Sequence, residues 1–145
     1  MNNNYQIKIR KKLIEVSIPL EIINIASARE KSIRHFHPST LHLWWARRPL
    51  SSARAVIFCQ IVDDPSSVPE EFKSEESQLI ERERLFNLIQ DIVQWENIDN
   101  QKVIERARAE IKRSWIRCCN DNKTHPDANS LFNPNKIPSF HDPFA

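Results

Sequence analysis

The feature that most constrains this 145-residue sequence is that it contains no glycine. At an average frequency of about 7%, roughly ten glycines would be expected. The phosphate-binding loop of nucleotide hydrolases and the dinucleotide fingerprint both need backbone that approaches phosphate without a Cβ atom. The sequence therefore excludes a self-contained kinase, GTPase or dehydrogenase, and any cofactor loop of that kind has to lie outside these residues.

Charge is distributed unevenly along the chain. Residues 1–62 carry ten Lys/Arg against three Asp/Glu (+7), residues 63–100 carry three against eleven (−8), and residues 101–145 carry eight against five (+3). A basic segment followed by an acidic one predicts either a polyanionic partner for the basic segment or neutralisation within the chain. The sequence leaves both alternatives open.

The three cysteines, Cys59, Cys118 and Cys119, lack the spacing of a disulfide framework, and neither a signal-peptide pattern nor a long apolar run is present. Reduced thiols, a cytoplasmic location and no membrane partner are therefore expected. Cys118 and Cys119 with His125 would supply part of a zinc site, but zinc sites usually space paired cysteines two to four residues apart. Two small side chains near a helix end explain the pair better, and no metal is expected.

Two helices are predicted in the first half of the chain because proline is favoured at the start of a helix. The first covers residues 20–30 after Pro19, and the second follows Pro49 and ends at Asp63-Asp64-Pro65. Residues 7–18 fit either a strand or an early helix. The second helix is expected to bury one stripe, formed by Leu50, Ala53, Ile57 and Ile61.

A helical hairpin is predicted in the second half. Ser67 and Glu70 fit a capping box at the start of a long helix. This helix should bury one face, formed by Leu85, Leu88, Ile89, Ile92 and Val93, and a second helix should bury Ile104, Ala107, Ile111 and Trp115. Because residues 97–100 interrupt the pattern, the two helices are expected to pack antiparallel. Residues 120–138 are predicted to form a loop, and residues 139–141 to begin a strand.

Residues 30–50 form the most unusual block, with three of the five histidines and two of the four tryptophans. Trp44 and Trp45, followed by Arg47 and Arg48, place stacking planes beside guanidinium groups, a combination suited to a nucleotide or a polyanion. One tryptophan is expected in the core and the other at a partly exposed surface. The histidines of the block are expected to brace an irregular loop rather than to bind metal.

Two stretches of the sequence carry a resemblance to a known family. Residues 27–50 contain Ser-Ala-Arg-Glu-Lys-Ser-Ile-Arg-His and His-Pro-Ser-Thr-Leu-His-Leu-Trp-Trp-Ala-Arg-Arg-Pro-Leu, and residues 62–65 read Val-Asp-Asp-Pro. With these pieces, residues 13–65 resemble the N-terminal region of bacterial adenine-specific DNA methylases that begin with a domain of unknown function. The final Asp142-Pro-Phe-Ala145 is similar to the opening of methyltransferase motif I, Asp-Pro-Phe-x-Gly-x-Gly, which follows a variable helical insert in that family.

The resemblance implies the N-terminal helical portion of a Rossmann-like α/β methyltransferase, with the first sheet strand beginning at the C-terminus and a mainly α fold in isolation. It implies S-adenosylmethionine as cofactor and transfer of a methyl group to an exocyclic amine of DNA, with adenine N6 expected. Such enzymes flip the base and hold it with an Asp/Asn-Pro-Pro-aromatic loop. This sequence lacks that loop and the motif I glycines, so it is expected to be inactive alone and to need a companion chain or the rest of a longer enzyme. The family implies a role in restriction-like and phage-defence systems.

Site residues follow from the same resemblance. The segment before motif I often lies near the methionine end of the cofactor, where helix amides and an arginine favour its carboxylate. The expected cofactor contacts are His37, Pro38, Ser39, Thr40, Arg47, Asp142 and Phe144. The expected nucleic-acid contacts are Arg34, Trp44, Trp45 and Arg48.

The predicted organisation has three parts: a basic family domain over residues 1–66, a helical insert over 67–138, and the start of the cofactor-binding domain over 139–145. A different class of function is also compatible with the basic first segment. On that hypothesis the chain is a non-enzymatic module that binds nucleic acid or a protein partner.

Overall fold

The computed structural model describes residues 6–33 and 49–137. These residues are mainly α-helical, as predicted, and within them no β-strand is formed. The helices are α1 (Leu13–Val16), α2 (Leu20–Ser32), α3 (Leu50–Ile61), α4 (Glu75–Val93), α5 (Gln101–Asp121) and α6 (Ala128–Leu131), with short 3-10 helices at Pro65–Ser67 and Trp95–Asn97.

The first described residues resolve the alternative left open for residues 7–18. Residues 6–11 form no regular secondary structure, Lys12 is extended, and the chain then enters the single turn of α1. Lys12 forms an isolated antiparallel bridge with Asp63. Two backbone bonds fix this bridge, from Leu13 N to Val62 O (2.9 Å) and from Asp64 N to Lys11 O (2.9 Å).

The predictions for α2 and α3 are confirmed in position but not in the buried face of α3. Pro19 and Pro49 directly precede the two helices. The buried residues of α3 are Ser51, Ala55, Phe58 and Cys59, whereas Leu50 and Ile57 are each 37% exposed. The predicted stripe was wrong because the helices that pack against α3, namely α1, α2, α4 and α5, leave Leu50 and Ile57 partly exposed and bury Ser51, Ala55, Phe58 and Cys59 instead.

The hairpin of α4 and α5 is antiparallel, as predicted. Arg84 donates to Glu110 at 2.9 Å, and Arg106 donates to Asp91 at 2.8 Å. The later residue on α4 therefore pairs with the earlier residue on α5, as antiparallel helices require. The interior face of α4 is also confirmed, with Leu85, Leu88, Ile89 and Val93 buried and Ile92 partly buried.

The predicted capping box at Ser67 was wrong. Helix α4 begins eight residues later, where Ser74 and Ser77 exchange side-chain to backbone hydrogen bonds. Ser67 ends a 3-10 helix, and its hydroxyl donates to the carbonyls of Lys11 and Asp64. The tight turn is possible because Pro65 and the Asp64 side chain stabilise the first 3-10 residues.

Helix α5 buries a different set of residues from the predicted stripe. Ile104, Ala107, Ile111 and Trp115 are only partly buried, and the buried positions are Val103, Glu110, Ser114 and Cys119. The difference arises because Ile111 and Trp115 line a surface groove instead of the centre of the core. The loop prediction for residues 120–138 holds up to residue 137, except for the final residues of α5 and the single turn of α6.

One hydrophobic core joins the helices on both sides of residue 66. Its buried members are Leu13, Ile23, Ala26, Ala55, Phe58, Cys59, Val62, Leu85, Leu88, Ile89 and Val93. Full burial of an aliphatic side chain stabilises the fold by about 1.5–3 kcal/mol. The division of the chain at residue 66 stays a prediction.

Candidate functional site

All of the site residues predicted from the sequence lie outside the described residues. They are Arg34, His37, Pro38, Ser39, Thr40, Trp44, Trp45, Arg47, Arg48, Asp142 and Phe144. The strand expected at 139–141 and the loop expected at 35–48 lie outside them as well. The structure describes the two helices, α2 and α3, that precede and follow residues 34–48.

Glu30 joins the two helices that flank this segment. The side chain is 4% exposed, and its carboxylate accepts hydrogen bonds from the backbone amides of Leu50 (2.8 Å) and Ser51 (2.8 Å) and from the Ser51 hydroxyl. The first amides of a helix have no partner within the helix and carry a partial positive charge. Glu30 therefore acts as an anionic cap supplied by the preceding helix.

This cap changes one expectation about the cofactor. The amides at the start of α3 were expected to face a cofactor carboxylate, but those of Leu50 and Ser51 are already bound to Glu30. A second contact between the helices, from Ser27 to Ser52 (Oγ to Oγ, 2.6 Å), lies one turn away. The two helices that flank residues 34–48 are thus held together by polar contacts.

Asp64 is the most buried carboxylate of the described residues, with no exposed surface. Arg82 donates to both of its oxygens, at 3.0 and 2.8 Å, and Ser66 donates through both its amide and its hydroxyl. Burial alone would raise the pKa of Asp64, but the bonds from Arg82 and Ser66 outweigh it and hold that pKa below its usual value. The Asp-Asp-Pro sequence is therefore a structural junction between α3 and α4.

Asp63 is the second member of that junction. Its Oδ1 accepts from Lys12 Nζ at 2.7 Å, its Oδ2 lies 3.5 Å from an Arg117 guanidinium nitrogen, and its amide donates to Ser114 Oγ at 3.0 Å. Arg117 also donates twice to Glu71. The carboxylate thus connects the N-terminal segment, the end of α3 and helix α5.

The structure shows how much of the basic first segment is neutralised within the chain. Arg10 forms paired bonds with Asp121 (2.6 and 2.9 Å) and also contacts Glu70. Lys12 pairs with Asp63, and Arg29 pairs with Glu96 at the surface. Part of the positive charge of residues 1–62 is therefore neutralised by carboxylates of the same chain. Arg34, Arg47 and Arg48 are not among the described residues.

Asn122 fixes the N-terminal segment around Lys8 to the end of α5. Its side-chain oxygen accepts from the Lys8 amide at 2.8 Å, and its side-chain nitrogen donates to the Lys8 carbonyl at 2.9 Å. The side chain is buried, and it also donates to the carbonyl of Cys118. One amide side chain thus pairs with the backbone as a neighbouring strand would.

A largely apolar groove of about 520 Å³ opens beside this segment. Trp115 donates from its indole to the Asn133 carbonyl at 2.8 Å, and its ring centroid lies 6.3 Å from that of Phe132. The lining residues are Ile7, Ile9, Lys12, Ile61, Ile111, Ser114, Trp115, Cys118, Leu131, Phe132 and Ile137. Grooves of this size and composition accommodate apolar groups.

The cysteines are structural in character. Burial raises the pKa of the Cys59 thiol to about 11, and it also raises the pKa of Cys118 and Cys119. His125 accepts from the Asp127 amide through Nδ1 and contacts the Phe132 ring edge-on. In the described ranges no cluster of three or more His, Cys, Asp or Glu side chains is arranged to hold a metal. No helix in those ranges has the length and apolar character needed to cross a bilayer.

Sequence reasoning missed three polar residues that organise the described fold. Glu30 lies within residues 27–50, which carry the family resemblance. It shares the buried face of α2 with small and apolar residues, and a lone carboxylate in such a position indicates a buried structural contact. Asp64 precedes a proline after a helix, a position typical of a capping carboxylate. Asn122 gives no comparable signal, because its partner is 114 residues away in the sequence.

Comparison with known proteins adds one match. Residues 17–88 match the family described as "Protein of unknown function (DUF1156)". The matched range contains α2, α3 and most of α4, so it extends beyond the residues on which the sequence resemblance was recognised. Comparison with curated proteins and with solved structures gives no significant match.

Proposed function

We propose that this chain is the N-terminal part of an S-adenosylmethionine-dependent DNA amino-methyltransferase, with adenine N6 as the acceptor, and that it is not active without the catalytic half. The observation that carries the proposal is the domain match over residues 17–88, which contains the Trp-Trp-Ala-Arg-Arg-Pro block. The Asp142-Pro-Phe-Ala145 sequence, in the order expected for motif I, supports the cofactor assignment.

The scaffold around the 34–48 segment also supports a binding role for it. Hydrogen bonds from the start of α3 to Glu30 join the two helices that flank the segment, and the Ser27–Ser52 contact reinforces them. Binding residues on a loop are most effective when rigid elements fix the ends of that loop. In this proposal Ser39, Thr40 and Arg47 contact the cofactor carboxylate, and Trp44, Trp45 and Arg48 contact DNA.

The amides of Leu50 and Ser51 have a different role in the proposed enzyme from the one inferred from the sequence. Since Glu30 occupies them, the cofactor carboxylate is bound by side chains of the 34–48 segment, with Arg47 supplying the charge-assisted bonds. The bound cofactor supplies the methyl group. The described residues of this chain position the segment and do not take part in methyl transfer.

The basic first segment favours a second candidate, a module that binds nucleic acid without chemistry. Several of its cations are used internally, among them Arg10 and Lys12, which weakens this alternative. On this hypothesis binding to DNA depends on the arginines of residues 34–48. Such binding falls steeply with added salt because counterions are released from the phosphates.

The test is S-adenosylmethionine binding by isothermal titration, with the chain alone and after mixing with a chain that carries Gly-x-Gly and Asp-Pro-Pro-Tyr. The enzyme proposal predicts binding only in the mixture, and loss of most of it in Arg47→Ala. Arg108→Ala, an exposed arginine on α5, is the matched control and should bind normally. Salt-sensitive DNA binding by the chain alone, with no gain of cofactor binding in the mixture, would favour the module instead.

A further inference from the structure

The groove beside the N-terminal segment leaves large apolar side chains in contact with water. Ile9 is 73% exposed, Leu131 is 51% exposed and Ile137 is 47% exposed. All three line the groove together with Trp115 and Phe132. Exposed apolar side chains that are clustered in this way, unlike scattered ones, are typical of an interaction surface.

The chain segments that line this groove are basic. Residues 6–12, 111–118 and 131–137 contain eight Lys/Arg and no Asp/Glu. Four of these cations pair with carboxylates from outside the three segments: Arg10, Lys12, Arg113 and Arg117. Three others are exposed and form no ion pair among the described residues: Lys11, Lys112 and Lys136. The groove therefore combines apolar walls with positive charge that the carboxylates of a bound partner would neutralise.

The N-terminal half of α4 carries a surface of the opposite charge. Glu76, Leu79, Ile80 and Glu83 lie on one face of the helix because they are spaced at i, i+3, i+4 and i+7. Leu79 is 61% exposed and Ile80 is 64% exposed. Both carboxylates are exposed too, and neither forms an ion pair within the described part of the chain. These four residues, the α4 strip, thus present two aliphatic side chains between two negative charges.

We propose that the α4 strip of one copy of this chain binds in the groove of a second copy. Leu79 and Ile80 enter the apolar groove, whose volume of about 520 Å³ is sufficient for both side chains, and the two glutamates lie beside the unpaired lysines. The second copy is the occupant because the charges left unpaired on the strip are negative and those left unpaired around the groove are positive. The inference does not rest on the proposed enzyme activity.

The strip and the groove are different surfaces, so the contact is heterologous, and each copy both supplies a strip and receives one. Sedimentation velocity of the full chain, from about 10 μM to about 1 mM, tests the association. At about 50 mM salt we expect the weight-average sedimentation coefficient to increase with concentration. At about 500 mM salt the association constant should be about tenfold lower, because the ion pairs are screened.

Reversing the charge of either surface should weaken self-association by about tenfold or more. Glu76→Lys/Glu83→Lys alters the strip, and Lys112→Glu/Lys136→Glu alters the groove. An equimolar mixture of the two variants should associate again, because the first variant keeps a basic groove and the second keeps an acidic strip. Misfolding of a variant cannot produce this recovery. Glu21→Lys/Asp99→Lys makes the same change of charge at exposed positions outside both surfaces and should associate normally.

Three outcomes would overturn the proposal. A single monomeric species at every concentration would mean that residues of the same chain or a different protein occupy the groove. Unchanged association in Glu76→Lys/Glu83→Lys would mean that two grooves face each other in a symmetric dimer. A mixture of the two charge-reversed variants that stays monomeric would show that the strip and the groove are not partners.

Discussion

Glu30 of α2 and Ser51 of α3 are joined by two hydrogen bonds in the interior, one to the Ser51 amide and one to its hydroxyl. They stand 21 residues apart in the sequence, and the 34–48 segment lies between them. These two residues thus have a structural role, which is to join the helices that flank residues 34–48.

Removing the Glu30 carboxylate should destabilise the fold. Glu30→Ala leaves the buried Ser51 amide and the partly buried Leu50 amide without their acceptor, so we expect a loss of about 2–3 kcal/mol in the free energy of unfolding. Glu30→Gln keeps one acceptor oxygen and should lose about half as much. Urea unfolding followed by circular dichroism measures both. Glu21→Gln, at an exposed position on the same helix, should be neutral, and an equal loss in Glu21→Gln and Glu30→Gln would contradict the capping role.

The ion pair of Asp64 and Arg82 should contribute far more to stability than an exposed pair. Asp64→Ala leaves the guanidinium of a largely buried arginine unpaired, and we expect about 3–5 kcal/mol of destabilisation. Asp91→Ala breaks the exposed pair with Arg106 and should cost less than about 1 kcal/mol. Chemical denaturation of the two variants in parallel provides the comparison. Similar losses in both would show that burial of Asp64 is not what gives this pair its effect.

Stability should fall in acid because three carboxyl pKa values are depressed in the folded chain. Hydrogen bonds from Arg10 lower the pKa of Asp121, those from Arg117 lower the pKa of Glu71, and those from Arg82 and Ser66 lower the pKa of Asp64 against the effect of burial. Their stabilisation is fully present above the unfolded values, about 4, and is lost as pH falls through the lower folded values.

Thermal unfolding between about pH 7 and pH 2 tests this dependence. The unmodified chain should have a nearly constant melting temperature down to about pH 5 and a steep decrease below that. Asp121→Asn should show a shallower decrease, because the amide does not titrate. A decrease of equal steepness in Asp121→Asn would mean that other groups dominate the acid response.

The contribution of the buried face of α4 to stability can be tested by comparing two leucines of that helix. Leu88 is fully buried, whereas Leu79 on the same helix is 61% exposed. Leu88→Ala should lose about 3–5 kcal/mol, because it removes buried apolar surface and leaves a cavity. Leu79→Ala should change the free energy of unfolding by less than about 0.5 kcal/mol. Comparable losses in the two variants would contradict the assigned orientation of α4.

Asn122 should control the order of the N-terminal segment. Asn122→Ala removes both bonds to the Lys8 backbone, so amides in residues 6–12 should exchange with deuterium about tenfold faster or more. Asn129→Ala, at an exposed position of α6, is the matched control. Unchanged exchange in Asn122→Ala would show that the bridge to Asp63 alone holds the segment.

The sequence predicted the helices well where the hydrophobic spacing agrees with the positions of residues that begin or end helices. The face formed by Leu85, Leu88 and Ile89 and the break near Asn97 need only local information, and both are found in the structure. The buried face of α3 was mispredicted because that helix carries apolar residues around much of its circumference. That of α5 was mispredicted because its apolar residues Ile111 and Trp115 line a surface groove. Which side is buried then depends on where the neighbouring helices lie.

The candidate site, too, could be predicted from the sequence only in part. The block around Trp44 and Trp45 is recognisable from composition and family resemblance, but the residues that support it are not. Glu30 and Asn122 act on partners distant in the sequence, so their hydrogen bonds appear only when the helices are packed. Ser67 was taken for a helix cap because its local pattern resembles one, whereas Asp64, three residues earlier, caps a 3-10 turn that ends at Ser67.

The measurement that tests the central proposal most directly is methylation of DNA by the native gene product. The gene, read past the Ala145 codon and with any companion gene, is expressed in a host without adenine methylation, and N6-methyladenine is quantified in the digested DNA. The proposal predicts N6-methyladenine with the complete system, none with residues 1–145 alone, and none with the complete system carrying Asp142→Ala. A folded complete system that leaves the DNA unmethylated, or methylation by the 145-residue chain alone, would contradict it.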